Sequence, residues 1–275
     1  PIIMANVIKL RKGLDVNLKG KAAKEEFQVK KPAVYALMPD DFTGMKPKVV
    51  VKENDVVKVG DSLFVDKNHP EIKFVSPVSG RVTMVERGDR RKVLSVRVEA
   101  DAEQQYVDFG KKNVGQMTAQ EVKDLLLESG LFGFFRQRPY DVTANPSDTP
   151  KAIFVSAFNS MPLAADFEYV LRGREADFQA GLDALAKMAK TYLGVSSKQT
   201  ATALTAAKNV EINFFDGPAP AGNVGVQINH ISPINKGEVV WTLGAEEVIF
   251  IGHLLNTGRL DFTRVIAFAL SLIHI

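Results

Sequence analysis

The sequence contains no cysteine, and this absence removes several kinds of site. Without thiolates the chain can form no disulfide, no cysteine-ligated iron–sulfur cluster and no thiolate zinc site. Histidine is scarce as well: His69, His230, His253 and His274 are far apart, and no HExxH motif occurs. GxSxG and GxGxxG motifs are also missing. We therefore predict no catalytic residue, no cofactor-binding residue and no metal site on this chain.

The sequence also lacks a long apolar run and an excess of charge of one sign. No stretch approaches the roughly 20 apolar residues of a membrane-spanning helix. The 35 Lys and Arg residues face 32 Asp and Glu, giving a net charge of +3, and no basic face with interleaved aromatic residues argues for nucleic acid. The basic run around Arg87, Arg90, Arg91 and Lys92 is typical of a solvated hairpin tip. We expect a soluble chain, or one that reaches a membrane only through partners.

Short apolar runs separated by turn residues fill the stretch between Val49 and Val85. KEND and KVGD precede strand-like segments and SPVSG follows one, which is typical of short strands joined by tight turns. Such strands bury their apolar faces only by closing on one another. We therefore predict a small β-barrel or sandwich over residues 32–100. A short strand from Val7 to Leu10 and an extended segment precede it, over residues 1–31.

From residue 118 the apolar residues follow the period of an α-helix. Thr118 and Glu121 have the spacing of a capping box, and Gly130 is placed to end the helix. The pattern predicts further helices at 178–192, 198–208 and 245–256, and strands at 153–158, 210–215, 224–228 and 239–241. This alternation predicts a layered, Rossmann-like α/β domain over residues 101–257. The fold class is thus α/β plus β.

The two ends of the sequence stand apart from these patterns. Met4 is the natural start that the sequence favours, with residues 1–3 as an addition. The apolar run VIAFALSLIHI, residues 265–275, would normally be paired or covered. We therefore expect it to be the first strand of a further domain, which would begin within residues 258–275.

Lys67 is the first candidate for chemistry. It follows Asp66 in a predicted hairpin, and GDSLFVDK followed by SPVSGRV resembles the lipoyl/biotinyl barrel-sandwich pattern, in which a modified lysine carries a swinging arm. The residues Asn68, His69 and Pro70 lengthen this hairpin, and the biotin-type Met-Lys-Met is absent. An ordinary loop lysine is therefore the favoured interpretation.

Two other segments leave alternatives open. FFDGPAPAGNVG, residues 214–225, follows a predicted strand as a phosphate loop would, but Pro218 and Pro220 each remove a backbone donor, which favours a rigid structural loop. ESGLFGFFRQRPY, residues 128–140, combines arginines with aromatic residues. It is either a docking surface or a loop packed on the neighbouring domain.

Several segments, taken in order, closely resemble one family, the A subunits of Na+-translocating NADH:quinone oxidoreductases. They are KLRKGLDVNLKG, DDFTGMKPKVVVKENDVVKVGDSLFVDKNHPEIKFVSPVSGRV, ESGLFGFFRQRP, DFQAGLDALAKM, GPAPAG and VVWTLGAEEVIFIGHLLNTGRL. The resemblance implies a peripheral subunit on the cytoplasmic side of a bacterial inner-membrane complex. That complex oxidises NADH, reduces ubiquinone and exports Na+. It also implies that residues 258–275 begin a β-grasp-like domain.

The resemblance carries expectations about cofactors and partners. Similar subunits in the Rnf complex and in respiratory complex I hold FMN with a glycine-rich loop and iron–sulfur clusters with cysteines. This chain has FGFFRQRPY in place of that loop and has no cysteine. We therefore expect flavins and clusters on partner subunits, docking on the membrane-embedded subunits, and a contribution to ubiquinone binding. The alternative is a lipoyl/biotinyl-type carrier domain fused to a nucleotide-binding α/β enzyme.

Overall fold

Three β-sheets and six α-helices make up the part of the chain that the computed structural model describes, residues 7–16 and 23–268. Met4, His274 and most of the predicted terminal strand lie outside these residues. The described part of that strand, residues 265–268, has no regular secondary structure. Within the described ranges, no helix combines the length and the apolar character needed to cross a bilayer.

Seven short strands form the predicted β-domain, and they are arranged in two antiparallel sheets. The strands, in chain order after β1 (Val7–Lys9), are β2 (Val34–Leu37), β3 (Pro47–Val49), β4 (Val56–Val57), β5 (Ser62–Asp66), β6 (Lys73–Val75), β7 (Gly80–Arg87) and β8 (Val93–Ala100). One sheet has the order β2-β8-β7-β4 and the other β3-β5-β6. Phe64 and Phe74 from one sheet and Val98 from the other are buried in a common core. The barrel-sandwich prediction is confirmed.

The second half of the chain alternates helices and strands around one larger sheet. In chain order its elements are α1 (Ala119–Glu128), β9 (Arg136–Arg138), β10 (Val142–Thr143), β11 (Ile153–Ser156), α2 (Phe167–Leu171), α3 (Glu175–Met188), β12 (Thr191–Ser196), α4 (Thr202–Thr205), β13 (Glu211–Asp216), α5 (Val224–Ile231), β14 (Val240–Gly244) and α6 (Ala245–Thr257). The layered α/β prediction is confirmed as well.

The larger sheet has the order β1-β13-β12-β11-β14-β9-β10, and its direction of winding reverses once. The chain moves outward from β11 through β12 to β13, all parallel, and then returns to place β14 on the other side of β11. β1 extends the sheet from the N-terminal segment by pairing in parallel with β13. In sheets of this kind ligands bind outside the carboxyl ends of the strands where the order reverses. That position lies between β11 and β14.

The start and end of α1 follow the sequence prediction closely. The Thr118 hydroxyl accepts a hydrogen bond from the Glu121 N–H at 3.2 Å, and the Glu121 carboxylate accepts one from the Thr118 N–H at 2.7 Å. The bond from the Thr118 backbone also lowers the pKa of the Glu121 carboxyl below its ordinary value. Gly130 ends the helix with φ of +80°. A Cβ there would lie 2.6 Å from Cγ1 of Val75, so this helix end is packed against β6.

Three of the predicted elements in this domain are wrong in type or length. Residues 224–228, predicted as a strand, are the beginning of helix α5, because the Asn223 side chain accepts bonds from the N–H groups of Gly225 and Val226 and caps a helix there. The predicted helix 178–192 ends at Met188, which places Tyr192 in strand β12. The predicted helix 198–208 is reduced to the single turn α4.

Candidate functional site

The hairpin that carries Lys67 connects β5 to β6 through the six residues 67–72. Asp66 is buried, and its Oδ1 accepts hydrogen bonds from the backbone N–H groups of Asn68 at 3.0 Å and Lys46 at 3.3 Å. Lys67 is exposed, and its backbone N–H donates to the Lys46 carbonyl at 2.7 Å. The aspartate of the doublet therefore organises the turn, while the lysine follows directly after the strand and away from the middle of the loop.

We expect the two residues of this doublet to differ in their effect on stability. Asp66→Ala leaves two backbone donors without their acceptor, which should lower the free energy of unfolding by about 1–3 kcal/mol. Lys67→Ala removes an exposed side chain and should change it by less than about 0.5 kcal/mol. Urea denaturation followed by tryptophan fluorescence measures both. Equal losses for the two variants would contradict this role of Asp66.

The proline-rich loop after β13 uses its own backbone donors for structure. Apart from Pro220, every residue from 219 to 223 donates its N–H within the protein. The acceptors are Asp15 Oδ1 for Ala219 at 2.8 Å, the Pro218 carbonyl for Ala221 at 2.9 Å, Ser160 Oγ for Gly222 at 2.9 Å and the Pro220 carbonyl for Asn223 at 2.8 Å. A phosphate cradle needs such N–H groups free to point at the anion. The loop therefore has the properties of a structural connection.

The middle of the segment 128–140 packs against the neighbouring domain. The Phe134 ring lies 6.0 Å, centroid to centroid, from Phe42 of the barrel-sandwich domain, and a Cβ at Gly133 would lie 2.8 Å from the Phe74 ring. Phe132 and Phe135 are fully buried. Of the two alternatives left open by the sequence, the loop packed on its neighbour describes residues 133 and 134, while Arg136–Arg138 pair with β14 and Tyr140 is 86% exposed.

The described histidines each contact one group within the chain. His253 Nδ1 lies 3.1 Å from Asp177 Oδ2 and joins α6 to α3. His230 Nδ1 lies 2.8 Å from the Val226 carbonyl one turn earlier in the same helix, and His69 lies 3.7 Å from Glu71. Among the residues that the structure describes, no group of three or more histidine and acidic side chains is arranged to hold a metal ion.

A cleft of about 770 Å³ opens at the carboxyl ends of β11 and β14, where the sheet order reverses. Its walls come from the loop after β11, the start of α6, the loop before α5, the aromatic segment around Phe134 and the segment 264–267. Sequence reasoning missed this cleft, because its walls are separated by up to about 130 residues and meet only once the strand order is known. A strand followed immediately by the first turn of a helix, as at Gly244 and Ala245, is the signal that points to it.

Two glutamates and an arginine stand at one end of the cleft. Arg264 donates to Glu246 at 2.9 Å and also to Glu247, and the Glu247 carboxylate lies so close to Gly244 that a Cβ there would overlap it. Burial raises the pKa of the Glu246 carboxyl above its ordinary value, although the Arg264 charge opposes this. Burial would lower the pKa of Arg264, but its two carboxylate partners outweigh that effect and raise it.

Arg136 reaches the cleft from β9 and is held by Asp141. Its Nε donates to the Asp141 carboxylate at 3.2 Å, and a terminal nitrogen donates to the Asp141 carbonyl at 2.8 Å. Burial alone would raise the pKa of Asp141, but the bond from Arg136 and the charge of Arg138 bring it below its ordinary value. The charged groups at the cleft thus each contact groups of opposite charge within the chain, and the arrangement is suited to binding a molecule by shape and apolar contact.

Comparison with known proteins finds matches over nearly the whole chain. Residues 8–101 match a family described as the NqrA N-terminal barrel-sandwich hybrid domain, and residues 117–260 match the NqrA second alpha/beta domain. The chain is 35% identical over 266 residues to the A subunit of the Na(+)-translocating NADH-quinone reductase of Pseudomonas aeruginosa strain UCBPP-PA14, covering 96% of this chain and 59% of the relative. It is 36% identical over 268 residues to the protein of the same name from Serratia proteamaculans, covering 96% and 60%. The chain therefore spans about 60% of the length of these relatives.

Proposed function

The chain belongs to the family of the A subunits of Na(+)-translocating NADH-quinone reductases, and from that premise we propose that it acts as a peripheral scaffold subunit of such a complex. In this proposal it lies on the cytoplasmic side of the bacterial inner membrane and docks on the membrane-embedded subunits. The complex couples NADH oxidation and ubiquinone reduction to Na+ export, with its flavins and iron–sulfur clusters on partner subunits. The observation that carries the proposal is the match of two family domains, in order, over residues 8–101 and 117–260.

The packing between the two domains supports a scaffold role. One hydrophobic core contains Val82 and Val98 of the barrel-sandwich domain together with Leu126 and Trp241 of the α/β domain. The ring centroids of Phe42 and Phe74 in the barrel-sandwich domain are 4.4 Å apart, and Phe42 also contacts the ring of Phe134 in the α/β domain. A continuous core resists relative motion of its parts, because interiors are close-packed. We further propose domain limits of 32–100 and 101–257, an N-terminal segment over 1–31, and a third domain beginning within 258–275.

The cleft between β11 and β14 supports a contribution to quinone binding. It lies where ligands bind in sheets whose strand order reverses, and its volume of about 770 Å³ is within the range of small-molecule sites. The apolar side chains of Phe134, Leu243 and Ile266 are among those that line it. In this proposal the chain shapes a quinone site and supplies no catalytic group.

Two observations argue against the alternative of a carrier domain fused to a nucleotide-binding enzyme. The loop that contains Lys67 has six residues, and Lys67 is its first, so a modified lysine would not stand at the tip. The backbone donors of residues 219 and 221–223 are engaged within the protein, so these N–H groups are not free to point at a phosphate.

Labelling with a photoreactive ubiquinone in the intact, purified complex tests the proposal. We expect label on the A subunit, in peptides that contain residues 156–167 or 242–247 of this chain, since both line the cleft. Excess unlabelled ubiquinone should prevent the labelling. Label confined to other subunits, with the A subunit present in the complex, would contradict the quinone contribution and leave only the scaffold role. Failure of the A subunit to co-purify with the membrane subunits would contradict that role too.

A further inference from the structure

We infer that the cleft between β11 and β14 selects uncharged ligands, and that Glu246 and Glu247 are the residues that exclude anions from it. This inference rests on the proposed function, from which it takes a quinone ring as the ligand. It goes further by naming the residues that determine which ligand charge the cleft accepts. Three features of the cleft support it: the position of α6, the carboxylates in its first turn, and the engagement of the other donors around the cleft.

Helix α6 begins where a phosphate would be expected. It starts at Ala245, directly after β14 ends at Gly244, and both residues line the cleft. The first N–H groups of a helix have no partner within the helix and carry partial positive charge. In doubly wound folds this combination commonly holds the phosphate of a nucleotide. No side chain caps α6 at Gly244.

A carboxylate of the chain itself, that of Glu247, lies at this position. Glu246 and Glu247 are in the first turn of α6, where they interact favourably with the helix dipole. The Glu247 carboxylate lies against Gly244, in the space that a side chain there would fill. Arg264 pairs with both glutamates, so two negative groups share one positive group. An anionic ligand beside these two carboxylates would meet like charge at short range.

The other charged side chains around the cleft pair with groups other than Glu246 and Glu247. The N–H groups of residues 219 and 221–223 are engaged in the hydrogen bonds described above, and Arg136 donates twice to Asp141, which also pairs with Arg138 at 3.2 Å. At the mouth of the cleft, the apolar side chains Met161, Leu163 and Ile266 are 63%, 46% and 78% exposed. Covering such side chains with an apolar ligand removes apolar surface from water, which favours binding. An uncharged ring therefore finds contacts here, while an anion would have to displace a carboxylate from its partner.

A pair of probes with the same ring and different charge tests the inference. We would titrate the 275-residue chain with 1,4-naphthoquinone and with 1,4-naphthoquinone-2-sulfonate by isothermal titration calorimetry. We expect the uncharged probe to bind at least about tenfold more tightly. The double variant Glu246→Gln/Glu247→Gln keeps the side-chain size, removes two negative charges and leaves Arg264 unpaired. In this variant the preference for the uncharged probe should fall below about threefold, because the sulfonate binds more tightly than it does to the wild-type chain.

A control separates the local effect from overall charge. Glu103→Gln/Glu128→Gln makes the same change in net charge at two exposed positions that do not line the cleft, and it should keep the wild-type preference. If the cleft variant does not fold, Arg264→Met provides a second test, because it leaves both carboxylates unpaired and should increase the preference for the uncharged probe.

The inference is overturned if the wild-type chain binds both probes equally or binds neither, or if the preference is unchanged in every cleft variant that folds. These outcomes are distinct from a failure of the proposed function. A complex in which this chain takes no quinone label would contradict the quinone contribution, while the preference of the cleft for the uncharged probe could still be measured on the chain.

Discussion

Gly252→Ala is expected to lower the free energy of unfolding by about 3 kcal/mol or more, the upper end of the usual cost of overpacking. Gly252 lies in α6 where this helix touches the backbone of α3. A Cβ at this position would overlap the carbonyl oxygen of Asp177 and lie 2.8 Å from its Cα. Gly181 makes the reciprocal approach from α3 to the backbone of Val248. Because backbone atoms cannot change rotamer, the two helices would have to separate and lose the contacts between them.

A matched substitution isolates the effect of this close approach. Gly225→Ala also places a methyl group on a helical glycine, but its nearest neighbours are ends of side chains, 3.1 Å away at Asn223 Oδ1 and 3.5 Å away at an Arg138 nitrogen. A shift of a few tenths of an ångström relieves these contacts without breaking the Asn223 cap, so we expect a change within about 1 kcal/mol, with the helix preference of alanine in its favour. Urea denaturation of both variants gives the comparison. Similar midpoints would show that α3 and α6 can separate at little cost.

Trp241→Ala is expected to cost about 3–5 kcal/mol of unfolding free energy, as for other large buried aromatic side chains. Trp241 is the only tryptophan of the chain and is fully buried on β14. Its ring packs edge to face on Phe132 at 5.3 Å and on Phe135 at 5.7 Å. The indole N–H donates to Gln137 Oε1 at 2.9 Å. Truncation would leave a cavity between the sheet and the segment that packs on the barrel-sandwich domain.

Trp241→Phe distinguishes the contribution of aromatic packing to stability from that of the indole hydrogen bond. It keeps most of the aromatic contact and loses the indole donor, so the cost should fall to about 1–2 kcal/mol. Because both substitutions remove the fluorescent reporter, far-ultraviolet circular dichroism in urea is the measurement. Losses of the same size in the two variants would mean that the hydrogen bond, and not the packing, accounts for the stability that Trp241 provides.

Local sequence was sufficient to predict the structure wherever the interactions that determine it join residues close together in the chain. The capping box of Thr118 and Glu121 involves residues three apart, and both of its hydrogen bonds are present. The alternation of short apolar runs and turns predicted the barrel-sandwich domain, and the helical period predicted the α/β domain that follows. The family resemblance was also visible in the sequence, since several long segments carry it, and the family matches confirm it.

The prediction for residues 224–228 was wrong because two local signals compete there. Valine and isoleucine favour a strand, whereas Asn223 is a favourable first residue for a helix. In the structure Asn223 caps α5, and Gln227 is buried in that helix, where its amide donates to Ser156 Oγ at 3.1 Å. That bond joins positions 71 residues apart. The residues of the segment 224–228 alone therefore could not predict this hydrogen bond.

The cleft and the arrangement of its charged residues could not be predicted from the sequence and became visible only in the tertiary structure. Glu246 and Glu247 were visible as acidic residues in the first turn of a helix, but their partner Arg264 lies 17 to 18 residues away, beyond the helix end. The neighbouring positions of β11 and β14 come from a return of the chain across the sheet, and local residue patterns do not encode strand order. Periodicity and capping are short-range properties and can be read along the chain. A binding site at a reversal of strand order exists only when distant segments meet.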